Sequence, residues 1–503
     1  MAKKLERLLE EYLQLVERKY QATIMSKRKG ILKLYSNREL EFSEFIIHTE
    51  KHTIFEQLVN ETYKFKYSHY FEEKDSILDL SFDDLKRKII NYFRRSGCYY
   101  DIYINESVYS GSTLQKYVDA LTRKEKEQYY FALMEYVGFA EHLMEFGQFR
   151  IQKFTADELD NMLNNKINKI FFTRSYLKME QLKELEDYWF ICLTKKSPVQ
   201  GYRGHVWEIE SGQDVTHTDI EFAQFPIEIL PFIKILSLFD WQADSLKKIR
   251  REIDSIETSA IKFKIPFVFI TDDDLLEPPK DAPDLSMLKT EQFTTWDNNK
   301  EDINVYEVPE RNIILNKERT DYFINFINET NRLYSSIRID ENGWQFLNLS
   351  LDFFIKGFFS NGLEQLLWNI ISIEALLGGE NGGYEWKNKD GDLKKEGLTE
   401  KLSRRIALIL ANEPEHQKGI KREFKELYDF RCDLVHGNRF EKKVLIKHLL
   451  NTINISRKTI LWFIYALNEI QNVLSEEKKE PRESILDKID INMIKDFPIM
   501  PYI

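Results

Sequence analysis

From about residue 315 to residue 475 the apolar residues recur at helical spacing, with no alternating run long enough to read as a strand. Five helices are predicted there, over 318–335, 351–377, 399–412, 417–436 and 441–475, joined by short turns and by one longer loop, "GGENGGYEWKNKDGD". Consecutive amphipathic helices with short connections bury their apolar faces most simply against one another, so this part of the chain is expected to form a helical bundle.

The preceding region has a different texture. Short β-like runs at "GILKLY", "FRIQKF", "YWFICLT", "GHVWEIE" and "IPFVFIT" alternate with helical stretches. After "FRIQKF", Thr155 and Glu158 have the spacing of a capping box that opens a helix. The acidic, proline-rich "TDDDLLEPPKDAPDLS", residues 271–286, reads as an exposed loop and a possible subdivision point. The fold class expected is therefore α+β. Residues 1–314 form a mixed region that senses or recruits, 315–480 an all-α bundle, and 481–503 a tail packing on the body.

Composition narrows the partners. A net charge of −11 gives the whole surface no attraction for polyanions, so any nucleic-acid contact needs a local basic patch. Three cysteines, Cys98, Cys192 and Cys432, lie far apart and form no CxxC or Cys/His cluster, which points to a reducing cytoplasm with no disulfide framework, metal site or cofactor. The first 30 residues mix acids among leucines and read as a retained amphipathic helix. The most apolar runs, 225–239 and 459–467, fall short of the roughly 20 residues a membrane span needs, so none is expected.

Two charged residues interrupt the bundle's apolar faces. At 100° per residue Ile420, Phe424, Leu427 and Leu434 share a stripe, and Arg431 falls in its middle. Leu363, Leu367, Ile370 and Leu377 define a second stripe, which contains Glu374. Buried charge is costly unless paired, so Arg431 requires a carboxylate, a phosphate ligand or a partner subunit; a Glu374–Arg431 bridge between two helices is one answer. His436 follows five residues later, which on an ideal helix leaves the two side chains about 140° apart in direction and about 7.5 Å apart along the axis. Gly437 suits the residue just past a helix end, where the dipole favours imidazolium, so His436 also reads as an ordinary cap.

Three ordered blocks, "LWNIISIEALLGG", "LTEKLSRRIALIL" and "LYDFRCDLVHGNRF", together resemble the HEPN superfamily and most closely its Apea-like branch. The match spans roughly residues 350–450, and its most specific part is Tyr428, Arg431, His436 and Gly437. Cys432 stands where a small polar residue, Asn, His or Asp is common. The resemblance implies a metal-independent endoribonuclease, of a kind used in anti-phage defence and reported to cut tRNA, acting as a homodimer with two R-x4-H elements facing each other. It casts Arg431 and His436 as catalytic, with Glu374, Tyr428, Cys432 and Gly437 in support. A phage-derived trigger is expected. The alternative is a non-catalytic dimerisation or partner-binding bundle in which Arg431 and Glu374 form a structural bridge.

Basic residues near the motif supply candidate RNA contacts: Arg404, Arg405, Arg439 and Lys442, with Lys401, Lys421, Arg422, Lys425 and Lys443 close in sequence. Their acidic neighbours make solvated helix faces the plainer reading. Asp272, Asp273 and Asp274 after an apolar strand read as an acidic surface turn, and His217 with Asp219 lacks a third ligand nearby.

Overall fold

The structure, a computed structural model, describes residues 2–27, 49–70, 82–105, 112–163, 177–198, 225–243, 262–277, 285–297, 302–311, 313–337, 344–378, 384–387, 393–437, 442–474 and 481–490. The fold is mixed α+β, and its chain segments interleave into two compact units. The first comprises Met1–Leu133, Ile151–Asp214 and Pro266–Val308; the second comprises Met134–Arg150, Val215–Ile265 and Pro309–Ile503. Residues 271–286 lie inside the first. No helix among the described residues is long and apolar enough to cross a membrane.

The chain opens with α1 (Ala2–Lys27), α2 (Thr53–Tyr70), α3 (Phe82–Arg95), α4 (Cys98–Asn105) and α5 (Ser112–Thr122). The expected N-terminal amphipathic helix is present, with Leu5, Leu8, Leu9, Tyr12, Leu13 and Val16 buried along one stripe. It packs into an aromatic core with Phe55, Phe93, Tyr99 and Tyr117. Buried phenols need partners: Tyr12 and Tyr99 share a hydrogen bond of 2.8 Å, as do Thr62 and Tyr117.

There follow β1 (Glu125–Met134), β2 (Val137–Gly138), β3 (Leu143–Phe146), β4 (Phe149–Gln152), α6 (Ala156–Leu163), α7 (Met179–Leu185), β5 (Trp189–Pro198), α8 (Leu230–Ser237) and β6 (Val268–Asp272). The runs "FRIQKF", "YWFICLT" and "IPFVFIT" contain strands as predicted, while "GILKLY" and "GHVWEIE" lie outside the described residues. Within the first unit β1 lies between β5 and β6, antiparallel to β6 in the register Gln128↔Asp272 to Ala132↔Val268. The capping box forms: the Thr155 amide donates to Glu158 Oε2 (2.8 Å) and the Glu158 amide to Thr155 Oγ1 (3.2 Å).

The start of the 271–286 segment corrects the sequence reading. Instead of an exposed acidic turn, Asp272 and Asp274 are buried beside Lys126 and Arg95, and Leu276 enters the aromatic core. Lys126 Nζ lies 2.8 Å from Asp272 Oδ2, and the Arg95 guanidinium donates to the carbonyls of Asp272, Asp274 and Glu277. Cations from elsewhere in the unit offset these acids, which periodicity along one segment does not reveal.

After β7 (Thr290–Asp297), β8 (Asp302–Pro309) and β9 (Ile313–Ile314) come α9 (Lys317–Ser336), α10 (Gln345–Phe359) and α11 (Gly362–Leu377). Strands β10 (Tyr384–Lys387) and β11 (Leu393–Glu396) precede α12 (Leu398–Leu410), α13 (Pro414–Val435), α14 (Lys442–Leu474) and α15 (Pro481–Asp490). Two predictions are corrected. The single helix expected over 351–377 is a helical hairpin, broken at Ser360 and Asn361, with Gly362 at φ +57°. The predicted Gly/Lys/Asp loop contains an antiparallel strand pair, Tyr384↔Glu396 to Lys387↔Leu393. Helices α10, α11 and α14 meet at Ser350, Ser372 and Ser456, where Ser350 Oγ donates to the Ser372 carbonyl (2.9 Å) and Ser372 Oγ to the Ser350 carbonyl (2.8 Å). Lys234 on α8, in the apolar 225–239 run, is buried and paired with Asp352, and its Nζ is 2.6 Å from Asn348 Oδ1.

Candidate active site at the end of a helical hairpin

Helix α13 starts on Pro414 and buries Phe424, Leu427, Tyr428 and Phe430. Ile420 and Leu434, predicted for the same stripe, are half-buried, so the face in the core is narrower at both ends than expected. Phe430 stacks on His448 of α14 at 4.5 Å and 24°, and burial lowers the His448 pKa below its ordinary value. The helix is regular through Val435. His436 caps it, its amide donating to the Cys432 carbonyl at 3.0 Å, and Gly437 takes φ +76° with its amide on Leu434. The left-handed residue is the one predicted.

Tyr428 and Arg431, one turn apart, form the centre of the site. Tyr428 Oη donates to Glu374 Oε1 at 2.7 Å, joining α13 to the last turn of α11. Burial, and then the Glu374 carboxylate that accepts its proton, push the Tyr428 phenol well above its ordinary pKa. The Arg431 guanidinium carbon lies 5.6 Å from the Tyr428 ring centroid, and Arg431 Nε is buried with no hydrogen-bond partner. The anticipated Glu374–Arg431 bridge is therefore replaced by a Glu374–Tyr428 hydrogen bond. A tyrosine can reach Glu374 across the helix crossing, and the arginine is left lying against its ring.

The α11 stripe is also corrected. Leu366, Asn369, Ile370, Ile373, Leu376 and Leu377 face the core, whereas Leu363 is exposed and Leu367 half-buried. Glu374 sits on the half-buried border, where its carboxylate keeps contact with water.

Of the sequence-predicted residues, Glu374, Tyr428 and Arg431 are brought together. Cys432 is a half-buried free thiol beside them. His436 is exposed, one full turn past Cys432, and because the helix stays regular to Val435 it does not share a face with Arg431.

The basic residues expected around the motif are largely occupied within the bundle. Arg405 is only 3% exposed and grips Asp490 through Nε (2.9 Å) and Nη2 (2.6 Å), which removes it from the RNA-contact candidates. Arg404 also pairs with Asp490, at 2.9 Å. Lys421 and Lys425 both hold Glu400 and keep its carboxyl below the usual range. Lys401 is buried and Arg422 exposed. Arg439 and the side chains of Lys442 and Lys443 lie outside the described residues, as do His217 and Asp219. No group of three or more His, Cys, Asp or Glu side chains arranged to hold a metal occurs among the described residues.

Sequence reasoning missed Arg482, whose guanidinium donates to the Glu374 carbonyl at 3.1 Å. Nothing local in "EPRESIL" signals that contact, because its acceptor is a backbone oxygen more than 100 residues earlier. No family model matches the chain, no curated protein matches it, and no solved structure matches it.

Proposed function

We propose that the chain is a metal-independent endoribonuclease of HEPN type, cutting tRNA or other cellular RNA in the cytoplasm as part of anti-phage defence. The observation that supports this reading is the state of Arg431: a cation in the packed part of a helix, with a buried Nε that has no protein partner. A half-buried guanidinium with an open Nε donor has a chemical use for an anion, and its planar fork matches a phosphodiester. Tyr428, held by Glu374, supports the guanidinium from one side.

In the proposed reaction Arg431 holds the scissile phosphate and offsets the negative charge that develops on it. His436, exposed at the helix end, takes the proton from the ribose 2′-OH or returns one to the leaving 5′-oxygen. The 2′-oxygen attacks phosphorus, the P–O5′ bond breaks, and a 2′,3′-cyclic phosphate remains; DNA lacks the nucleophile. Since Arg431 and His436 point in different directions on one helix, a homodimer through the bundle completes each site, with one residue of each functional pair supplied by the second copy. A phage-derived trigger relieves the resting enzyme.

The internal neutralisation of Arg404, Arg405, Lys421 and Lys425 favours a second reading, a non-catalytic bundle that binds a protein partner. Purified full-length protein incubated with tRNA and sequence-matched DNA in EDTA separates the two. Cutting of tRNA alone, lost in His436→Ala with the circular dichroism unchanged, is the expected result. RNA left intact in the presence of phage lysate, by a protein that sediments as a dimer, leaves only the second reading.

A further inference from the structure

We propose that Arg482 of the C-terminal helix is a positioning residue of this site, fixing the end of α11 from which Glu374 reaches Tyr428. The proposal rests on the ribonuclease reading for its effect on rate, while its structural part stands apart from it.

The last carbonyls of any α-helix lack intrahelical partners and carry the negative end of the dipole. In α11 the carbonyls of Leu376 and Leu377 are met by guanidinium groups from outside the helix, and that of Glu374, already bonded to the Gly378 amide, takes Arg482 as a second donor. Arg482 Nη2 donates to the Glu374 carbonyl at 3.1 Å and Nε lies 3.5 Å from the Leu376 carbonyl, while Arg405 donates to the Leu377 carbonyl. Both arginines make a further contact. The Arg482 guanidinium lies 5.9 Å from the Phe346 ring centroid, and Arg405 is locked on Asp490 at the far end of the same ten-residue helix. Buried Ile485, Leu486 and Ile489 seat α15 between those two ends. Thus α15 grips the α11 terminus directly through Arg482 near its start and indirectly through Asp490 at its finish.

Glu374 is the residue where this grip and the candidate site coincide. Its carbonyl accepts from Arg482 and from the Gly378 amide (2.8 Å), and its carboxylate accepts from Tyr428 at 2.7 Å. A displacement of that backbone moves the carboxylate with it and loosens the ring against which Arg431 lies. Gly378 shows how little room the terminus has, since a Cβ there would sit 2.6 Å from the Glu374 carbonyl oxygen.

The test uses the full chain with Arg482→Ala, Arg482→Lys and Gly378→Ala, and with Glu483→Ala on the exposed side of α15 as control. Hydrogen exchange by mass spectrometry is read on peptides covering 370–378 and 425–437, together with kcat and KM on the RNA that wild type cuts. For Arg482→Ala, exchange is expected to rise in both peptides and kcat to fall about tenfold with KM nearly unchanged, as for a misplaced group rather than a lost contact. Lysine, a point charge unable to span two carbonyls, restores part of this. Faster exchange in 370–378 with 425–437 unaffected overturns the proposal, as does coupled loosening with unchanged kcat. If wild type cuts no RNA the ribonuclease reading fails, and the exchange data alone decide whether Arg482 positions Glu374 and Tyr428. If Arg482→Ala does not fold, Arg482→Lys and Gly378→Ala carry the same comparison.

Discussion

Tyr428→Phe removes one oxygen and leaves the ring in place, which makes it the sharpest probe of the junction between α11 and α13. The lost bond is the 2.7 Å donation to Glu374 Oε1. Hydrogen bonds to charged groups contribute about 1.5–3 kcal/mol net. Tyr428 is buried, but Glu374 is half-exposed and water replaces part of what the phenol supplied, so the lower value, about 1.5 kcal/mol, is expected for the single variant. Glu374→Ala leaves the phenol wanting a partner and is expected to cost a similar amount. Urea unfolding of wild type, both single variants and the double variant, followed by circular dichroism, gives the coupling between the two residues. Because both substitutions delete the same bond, the double variant is expected to fall short of additivity by about 1 kcal/mol. Additivity within about 0.4 kcal/mol would refute the reasoning, because the bond would then contribute nothing that water does not.

Asp490→Asn leaves Arg405, 3% exposed, without its carboxylate, and is expected to lower the stability of the second unit by about 3 kcal/mol, read as a fall in Tm. Burial raises the Glu50 carboxyl from 4.5 to about 7 in spite of nearby Arg94 and Lys86. Its protonated form therefore stabilises the first unit fully below pH 4.5, and that contribution is lost as the pH rises through about 7. The span corresponds to roughly 3 kcal/mol, and Glu50→Gln is expected to flatten the pH dependence of unfolding across that window and to raise stability at pH 8. Gly437→Ala places a Cβ on a residue at φ +76° and is expected to cost about 1 kcal/mol by strain alone, since its surroundings are open; thermal unfolding checks it.

The bundle helices were legible because period and caps are local properties. The Gly437 stop of α13 follows from a single residue with a permissive backbone, whereas its start at Pro414 lies three residues before the predicted 417. The break at 360–362 was harder to see because apolar residues flank it at nearly continuous helical spacing. Arg431 and Glu374 could be identified as anomalies from their stripes, but their pairing could not. Which of two long side chains meets a carboxylate depends on the crossing of α11 and α13, and Tyr428 occupies that position. The pairing of Arg404, Arg405, Lys421 and Lys425 was hidden for a related reason. Neutralising partners such as Asp490 and Glu400 lie on other helices, where sequence proximity carries no information about them. Asp272 and Asp274 repeat the lesson with Lys126 and Arg95.

The interleaving of the two units sets a timetable for biosynthesis. The second unit draws on Met134–Arg150 and Val215–Ile265, yet most of its mass comes after Pro309 and its clamp only at Arg482. At ribosomal speeds of about 5–20 residues per second, those early segments wait on the order of tens of seconds for their partners to emerge. The nascent chain therefore carries Glu374, Tyr428 and Arg431 before it carries Arg482, and the end of α11 emerges 108 residues ahead of the guanidinium that meets its Glu374 carbonyl.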